Sequence, residues 1–435
     1  MAAEAQRPSL PFGVRSSRPD GVLAGQEPTA KSQQPDFDRV IAAVVLCLTA
    51  FGLVMIYSAS HVLAERSYHA GTYFLSRQTI FAVLGVAAMI GVSYVPYRVY
   101  RTLTYPILLV GLLGLVAVVG GAGTTIRGAT RWIALGWLNI EPSEVAKVAV
   151  VIWLAYSVAK KRELVRSFSI GFVPHVVLAG LAALLCLMQP DFGSAMIIIS
   201  LTFAILFVAG ARIAYILGAV VLAVPVVWQL VASSSYRMQR WMSFLDPWKY
   251  RLGWGYQLSE SQISFGAGGI LGQGIGDGRQ KLLFLPDAHN DFISAIVGEE
   301  LGLVGVLALI AVFTLLVVRG YRIATRCRDP FGSFLAFGIT TLVGLQALIN
   351  LGVSMGVLPT KGLTLPFVSY GGSSLLVHMA AIGVLLNISR GQSTVGSRQS
   401  TALPGGAKDA DNVRLDRLPA APATERRVEG GDGRA

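Results

Sequence analysis

Charge is the scarcest feature of this 435-residue chain. Asp, Glu, Lys and Arg make up 14 % of it, against roughly a quarter in an ordinary soluble domain. With 53 % hydrophobic residues beside so little charge, the composition excludes both a soluble enzyme and a disordered protein. Cysteine is nearly absent. Cys47 and Cys186 fall inside apolar blocks and Cys327 in a basic loop, with no metal-ligand spacing among them, so a disulfide scaffold is excluded as well. The first 35 residues are polar and proline-containing and lack a signal-peptide pattern. The first apolar block is therefore expected to act as an uncleaved anchor.

What the chain has instead is apolar blocks of about 18–24 residues, enough to cross a hydrocarbon core of roughly 30 Å as helices. Ten candidates follow in order: Val40–Ser60, Arg77–Val95, Leu103–Gly120, Ser143–Ala159, Gly171–Met188, Phe192–Gly210, Ile213–Ala232, Asp291–Val318, Phe331–Val357 and Pro366–Ile388. No soluble domain or internal repeat interrupts them. An even number leaves both tails on one side.

The net charge is +12. In a soluble protein this would point to nucleic acid, but here Lys and Arg lie mainly in loops between apolar blocks, where they report topology. With both tails cytoplasmic, the short inner loops carry eleven Lys and Arg and the short outer loops five, as the positive-inside rule requires. The predicted architecture is an all-α polytopic membrane protein of about ten transmembrane helices. Both termini are cytoplasmic, and one long extracytoplasmic loop, residues 233–290, joins helices seven and eight. Residues 1–39 and 391–435 are expected to be disordered cytoplasmic tails around a membrane domain of residues 40–390. No nucleic-acid partner is expected.

Polar residues kept in or beside a membrane domain are costly and mark candidate function. Here they gather at the outer rim in four clusters. The first holds Arg127 and Arg131, then Asn139, Glu141, Pro142, Ser143, Glu144 and Lys147. It reads either as a helix start with Ser143 as N-cap and Trp132 and Trp137 as an interfacial belt, or as the wall of a headgroup site. In the second, Asp191 either caps the following helix or contacts substrate. The third is the long loop. Arg237, Arg240 and three tryptophans mix cationic and aromatic groups, which suits a lipid headgroup, a sugar or a pyrophosphate. The run Gly272–Gly278 is too weak for a dinucleotide fingerprint and reads as flexible loop. The loop ends in Asp287, His289 and Asp291, the densest titratable group in the chain. Asp291 opens an apolar helix in this reading, either as a cap or as an ionised general base. In the fourth cluster, Lys361 sits between prolines in a non-helical stretch leading to Ser369 and Tyr370. It either snorkels or lines a cavity.

Together these clusters resemble the SEDS family (shape, elongation, division and sporulation). The segment Pro359-Thr-Lys361-Gly-Leu-Thr-Leu-Pro366-Phe-Val-Ser-Tyr370-Gly-Gly-Ser-Ser374, preceded by Asn350-Leu-Gly-Val, resembles the cell-division branch more than the elongation branch. The likeness runs from Phe37 to Ile388. Three positions depart from the pattern: Glu141 where Gln is usual, Asp287 where Glu is usual and Asn290 where Thr is usual.

The resemblance implies a peptidoglycan glycosyltransferase that uses lipid II. Its implied partners are a cognate class B penicillin-binding protein transpeptidase and other divisome membrane proteins, in contact with membrane lipids at the division septum. It also implies that Asp291 is the key aspartate, with Asp287 and Lys361 as charged loop residues. Inverting attack by an acceptor 4-hydroxyl needs one base and cations for the leaving diphosphate. Asp291 is the expected base and Lys361 the first cation, with Arg237, Arg240 and Arg131 behind it. Asp287 and His289 are expected to orient the base or the acceptor. Asp191, Ser369 and Tyr370 complete the expected substrate contacts. A divalent cation, Mg or Mn, would help neutralise diphosphate, although no ligand spacing demands one. The competing readings are a lipid II flippase, which should carry polar residues through the midplane, and a non-catalytic scaffold for the transpeptidase.

Overall fold

A computed structural model of the chain describes residues 37–126, 129–136, 138–282, 284–360 and 362–401. Of the predicted tails, 1–39 and 391–435, residues 1–36 and 402–435 lie outside the described residues, as do Arg127, Trp137 and Lys361.

Helices form where the apolar runs are. α1 (Arg39–Tyr68) starts from Asp38, whose carboxylate accepts the N–H groups of Val40 and Ile41, so the cap is a side chain rather than water. α2 (Tyr73–Tyr94), the short α3 (Arg98–Thr102) and α4 (Thr104–Ala117) follow. α5 (Pro142–Lys160) begins on Pro142, with Glu141 at the cap position. Ser143 is therefore inside the first turn rather than the cap, and its hydroxyl donates to the Glu141 carboxylate at 3.0 Å. The next helices are α6 (Val173–Met188), α7 (Phe192–Val208) and α8 (Ile213–Ala232). The long loop contains α9 (Ser235–Leu245) and α10 (Tyr256–Gly268), and α11 (Ile293–Arg326), α12 (Pro330–Ser354) and α13 (Gly372–Thr401) complete the chain. Among the described residues, eight helices are long and apolar enough to cross a membrane, and two shorter apolar stretches, Phe192–Val208 and Ile213–Gln229, make up the ten expected.

Four local expectations are corrected. α11 starts at Ile293 with Phe292 at its cap position, so Asp291 lies in the preceding turn and is not a helix cap. The last helix starts at Gly372, because residues 366–371 turn and Phe367 takes a left-handed φ of 66°. It also runs on to Thr401, into the stretch expected to be a tail. The segment after α4 is a three-stranded antiparallel sheet in the order β1 (Thr124–Ile126), β2 (Ala129–Leu135), β3 (Leu138–Ile140). Its β-branched residues favour strands, and Gly136 at φ 66° allows the tight turn between β2 and β3. Finally, the glycine-rich run 272–278 is tied by backbone hydrogen bonds to α11 and is not a free loop.

α5, α12 and α13 are the most buried spans, whereas no residue from 213 to 229 of α8 is buried. In lipid, water does not drive helices together, so close packing through small residues and polar contacts decides the arrangement. Gly52 of α1 is one such contact. A Cβ there would lie 2.7 Å from Val368 Cα and 2.8 Å from the Phe367 carbonyl oxygen. Gly91 of α2 has nothing within 4 Å of the same position. Gly52→Ala should therefore lower stability by ~1–3 kcal/mol, while Gly91→Ala should be neutral or raise it by up to ~1 kcal/mol. Thermal unfolding in detergent measures both, and equal effects would contradict this packing.

Candidate active site at the outer rim

The site is built around a stretch of backbone that is not helical. Residues 362–371 run between α12 and α13 at the outer end of the bundle, where unpaired N–H and C=O groups are costly. α12 supplies the partners. Gln346, Asn350 and Ser354 are spaced four apart and so share one face of the helix, and all three are buried. Asn350 Nδ2 donates to two carbonyls, those of Asp291 at 2.8 Å and Leu363 at 2.6 Å. Its Oδ1 accepts from the Ser294 hydroxyl at 3.3 Å. Gln346 Nε2 donates to the Thr364 carbonyl at 3.2 Å, and its Oε1 accepts from Lys147 Nζ at 3.1 Å. Lys147 is itself ion-paired with Glu144 at 2.9 Å, both side chains being buried. These residues lay in the sequence as a four-residue polar spacing on an apolar helix, the one signal that could have singled them out.

That scaffold brings Asp291 against Gly362. A Cβ on Gly362 would lie 2.9 Å from Asp291 Oδ2 and 3.9 Å from Arg131 Nη1. The sheet supplies Arg131 from β2. Its Nε donates to the Gln189 carbonyl at 3.3 Å and Nη2 to that of Pro190, while Nη1 lies 3.9 Å from Asp191 Oδ1. Asp191 both caps α7, accepting the Ser194 N–H at 3.1 Å, and faces Arg131.

Beside this trio opens a cavity of about 440 Å³. Its walls are largely apolar: Leu187, Phe192 and Met196 on one side, Val227 and Val231 of α8 on another. Its rim is cationic. Arg237, Arg240 and Trp241 share one face of α9, as their spacing dictates, and all three line the cavity with Arg131. Arg240 Nη1 reaches the Thr360 carbonyl at 3.5 Å, and Arg237 Nε is buried without a hydrogen bond. Lys361 lies outside the described residues, but its neighbours Thr360 and Gly362 both line this cavity.

Asp287, His289, Ser369 and Tyr370 are not among the residues that line the cavity. The His289 ring packs between Phe74 and Tyr370, at centroid distances of 4.6 and 5.7 Å. Its carbonyl accepts the Tyr370 N–H at 3.0 Å. Ser369 is buried, its hydroxyl accepting the Leu365 N–H at 2.9 Å. Asp287 is half-buried in the turn before α11, at φ 54°, a conformation that Asp tolerates better than most residues. Among the described residues, no three His, Cys, Asp or Glu side chains converge as metal ligands.

Glu141 lies at the base of the first cluster. Loss of hydration, then the carboxylates of Glu144 and Asp191, push it up to about 8 against the pull of Lys147 and Arg131. The shift favours the protonated carboxyl, which resembles the Gln usual at this position. The unfolded chain would release that proton near 4.5. The folded state binds more protons between those values, so stability falls as pH rises from about 4.5 to about 8. Glu141→Gln should match the wild type in melting temperature below that window and exceed it above. Parallel curves at every pH would contradict the shift. Asn350→Leu should cost ~1–3 kcal/mol for each of the two carbonyls left unpaired, read as a lower melting temperature in detergent.

The fold and site define a polytopic membrane protein with a carboxylate beside a largely apolar, arginine-lined cavity. The chain belongs to the family of cell cycle proteins that includes FtsW, RodA and SpoVE, whose family model matches residues 38–394. It is 50 % identical over 354 residues to the probable peptidoglycan glycosyltransferase FtsW of Geobacter metallireducens, covering 81 % of this chain and 94 % of that protein. It is 40 % identical to stage V sporulation protein E of Bacillus subtilis, covering 83 % of this chain and 99 % of that one. Among solved structures, a chain of a peptidoglycan synthase complex matches with a TM-score of 0.69 at 29 % identity, covering 82 % of this chain and 98 % of that one. The rod shape determining protein RodA of Thermus thermophilus matches at 0.62 and 26 %, covering 82 % and 97 %.

Proposed function

We propose that this protein is a peptidoglycan glycosyltransferase that polymerises lipid II at the division septum. It would work beside a class B penicillin-binding protein transpeptidase and other divisome membrane proteins. One observation carries the reading: the Asp291 carboxylate and the Arg131 guanidinium both approach Gly362, next to a cavity lined by apolar side chains and three arginines. A lipid-linked diphosphate has the matching halves, a hydrocarbon tail and a compact anion. The relatives named as glycosyltransferases, and the likeness to a chain of a peptidoglycan synthase complex, support the same reading.

In this mechanism Asp291 removes the proton from the acceptor 4-hydroxyl as its oxygen attacks the anomeric carbon of the donor. The donor linkage is α and the product β, so a single displacement suffices. Negative charge grows on the departing diphosphate, where fixed cations in a poorly hydrated site act most strongly. In this reading Arg131, Arg237 and Arg240, which line the cavity, supply those cations, and Lys361 is assigned the same role. Asp191 restrains Arg131. Asp287 and His289 set the turn from which Asp291 projects, and Ser369 and Tyr370 shape the wall behind it. The buried polar groups support a site at the outer end over a route through the midplane. Glu144 and Lys147 lie in the first two turns of α5, and Gln346 and Asn350 in the last three of α12.

Asp291→Asn keeps the shape of the side chain and removes the base. Polymerisation of lipid II by the purified protein with its transpeptidase should fall by about 100-fold or more. Fold and partner binding should be unchanged. Polymer at anything near the wild-type level would sink the assignment.

A further inference from the structure

The long loop is joined to α11 in a way the glycosyl-transfer site does not use. Gly302 takes φ 66° and breaks α11 into residues 293–301 and 303–326. The loop pairs with the backbone on both sides of the break. Gln273 and Gly274 donate to the carbonyls of Glu299 and Glu300, both at 3.0 Å. Leu303 and Val304 donate to those of Gly269 and Ile270, at 2.9 and 3.2 Å. The two chains are so close that a Cβ on Gly302 would lie 2.3 Å from Gly272 N. The depth of the loop is therefore the depth of the break.

Helix lengths give that depth. Arg319 pairs with Asp38 at 3.6 Å, at the start of α1. Ser58 lies twenty residues further along α1, about 30 Å at 1.5 Å per residue, which is the thickness of the hydrocarbon core. Its hydroxyl donates to Glu300 Oε1 at 2.6 Å, where Lys281 also pairs at 2.8 Å. This polar group thus marks the outer boundary. Leu303–Val318 carries no charge but spans only 16 residues, roughly 24 Å, short of a full crossing. The backbone paired across Gly302 lies at and just below the outer boundary.

The side chains at this level are apolar and uncovered. Ile270, Leu271 and Ile275 are 69 %, 80 % and 58 % exposed, and beside them Leu303, Val304 and Leu307 of the α11 span are each more than half exposed. The loop surface continues the lipid face of a membrane helix. Non-helical backbone at this depth is tolerated because α11 takes up its hydrogen bonds.

We propose that residues 269–276 are inserted into the outer leaflet of the bilayer, with Ile270, Leu271 and Ile275 among the acyl chains. The partner of this surface is lipid. Insertion would fix the height of the segment that follows, from Asp277 to Asp291, relative to the membrane surface. The proposal does not depend on the identity of the chemical step.

The test uses the full chain in bilayer nanodiscs, with Cys47, Cys186 and Cys327 replaced by alanine. A single Leu271→Cys is labelled with an environment-sensitive fluorophore, and Lys249→Cys, on the exposed part of the same loop, serves as the aqueous control. Phospholipids carrying a nitroxide near the top of the acyl chain should quench the label at 271 several-fold more than that at 249, and dissolved iodide should do the reverse. Equal iodide quenching at both positions would overturn the proposal. So would protection of position 271 from lipid nitroxide by added transpeptidase or by a second copy of the chain, since the surface would then belong to a protein. Ile275→Cys provides the same readout where Leu271→Cys does not fold.

Discussion

One amide side chain ties the outer end of this protein together. Asn350 donates both of its N–H bonds to carbonyls, one belonging to Asp291 and one to Leu363. Those residues come from two stretches that neither helix nor sheet satisfies, and water does not reach Asn350. A buried backbone carbonyl left bare would cost ~1–3 kcal/mol, so the two stretches are held where α12 can serve both. The neighbouring wall follows from the same constraint: Gln346 serves Thr364, Lys147 serves Gln346 and Glu144 serves Lys147. The carboxylate proposed as base is thereby positioned by a helix that never touches the proposed reacting atoms.

The charge pattern of the site divides by burial. Deep in the wall, Lys147 and Glu144 neutralise one another. At the cavity rim, arginines from β2 and α9 outnumber their acidic neighbour Asp191. The excess positive charge faces this cavity, whose other lining side chains are largely apolar. A substrate that matched only the charge or only the walls would leave the other half unsatisfied.

The helices were legible because their signal is composition: an apolar run of sufficient length has few alternatives in a membrane. α8 matched its expected limits, Ile213–Ala232, to the residue. Features set by single residues were not legible. The start of α11 moved two residues past Asp291 because a turn, rather than hydropathy, decides where its axis begins. The break at Gly302 is invisible because hydropathy carries no record of a single backbone φ. The small sheet was missed because its strands are short and interrupted by glycine. Arg131, Arg237, Arg240, Asp191 and Asp291 were legible as scarce charges at the rim, and four of them line one cavity with Asp291 beside it. Their mutual distances are not legible, since they come from four elements far apart in the chain.

Gly362 has a consequence of its own. The place where its side chain would begin is 2.9 Å from a carboxylate oxygen and 3.9 Å from a guanidinium nitrogen. The space a methyl would fill lies against an acceptor, with a donor a little beyond hydrogen-bond distance. The chain keeps this volume open by omission. Even the smallest side chain there would crowd a hydroxyl approaching the acid, so its absence acts as a gauge for the group admitted next to Asp291.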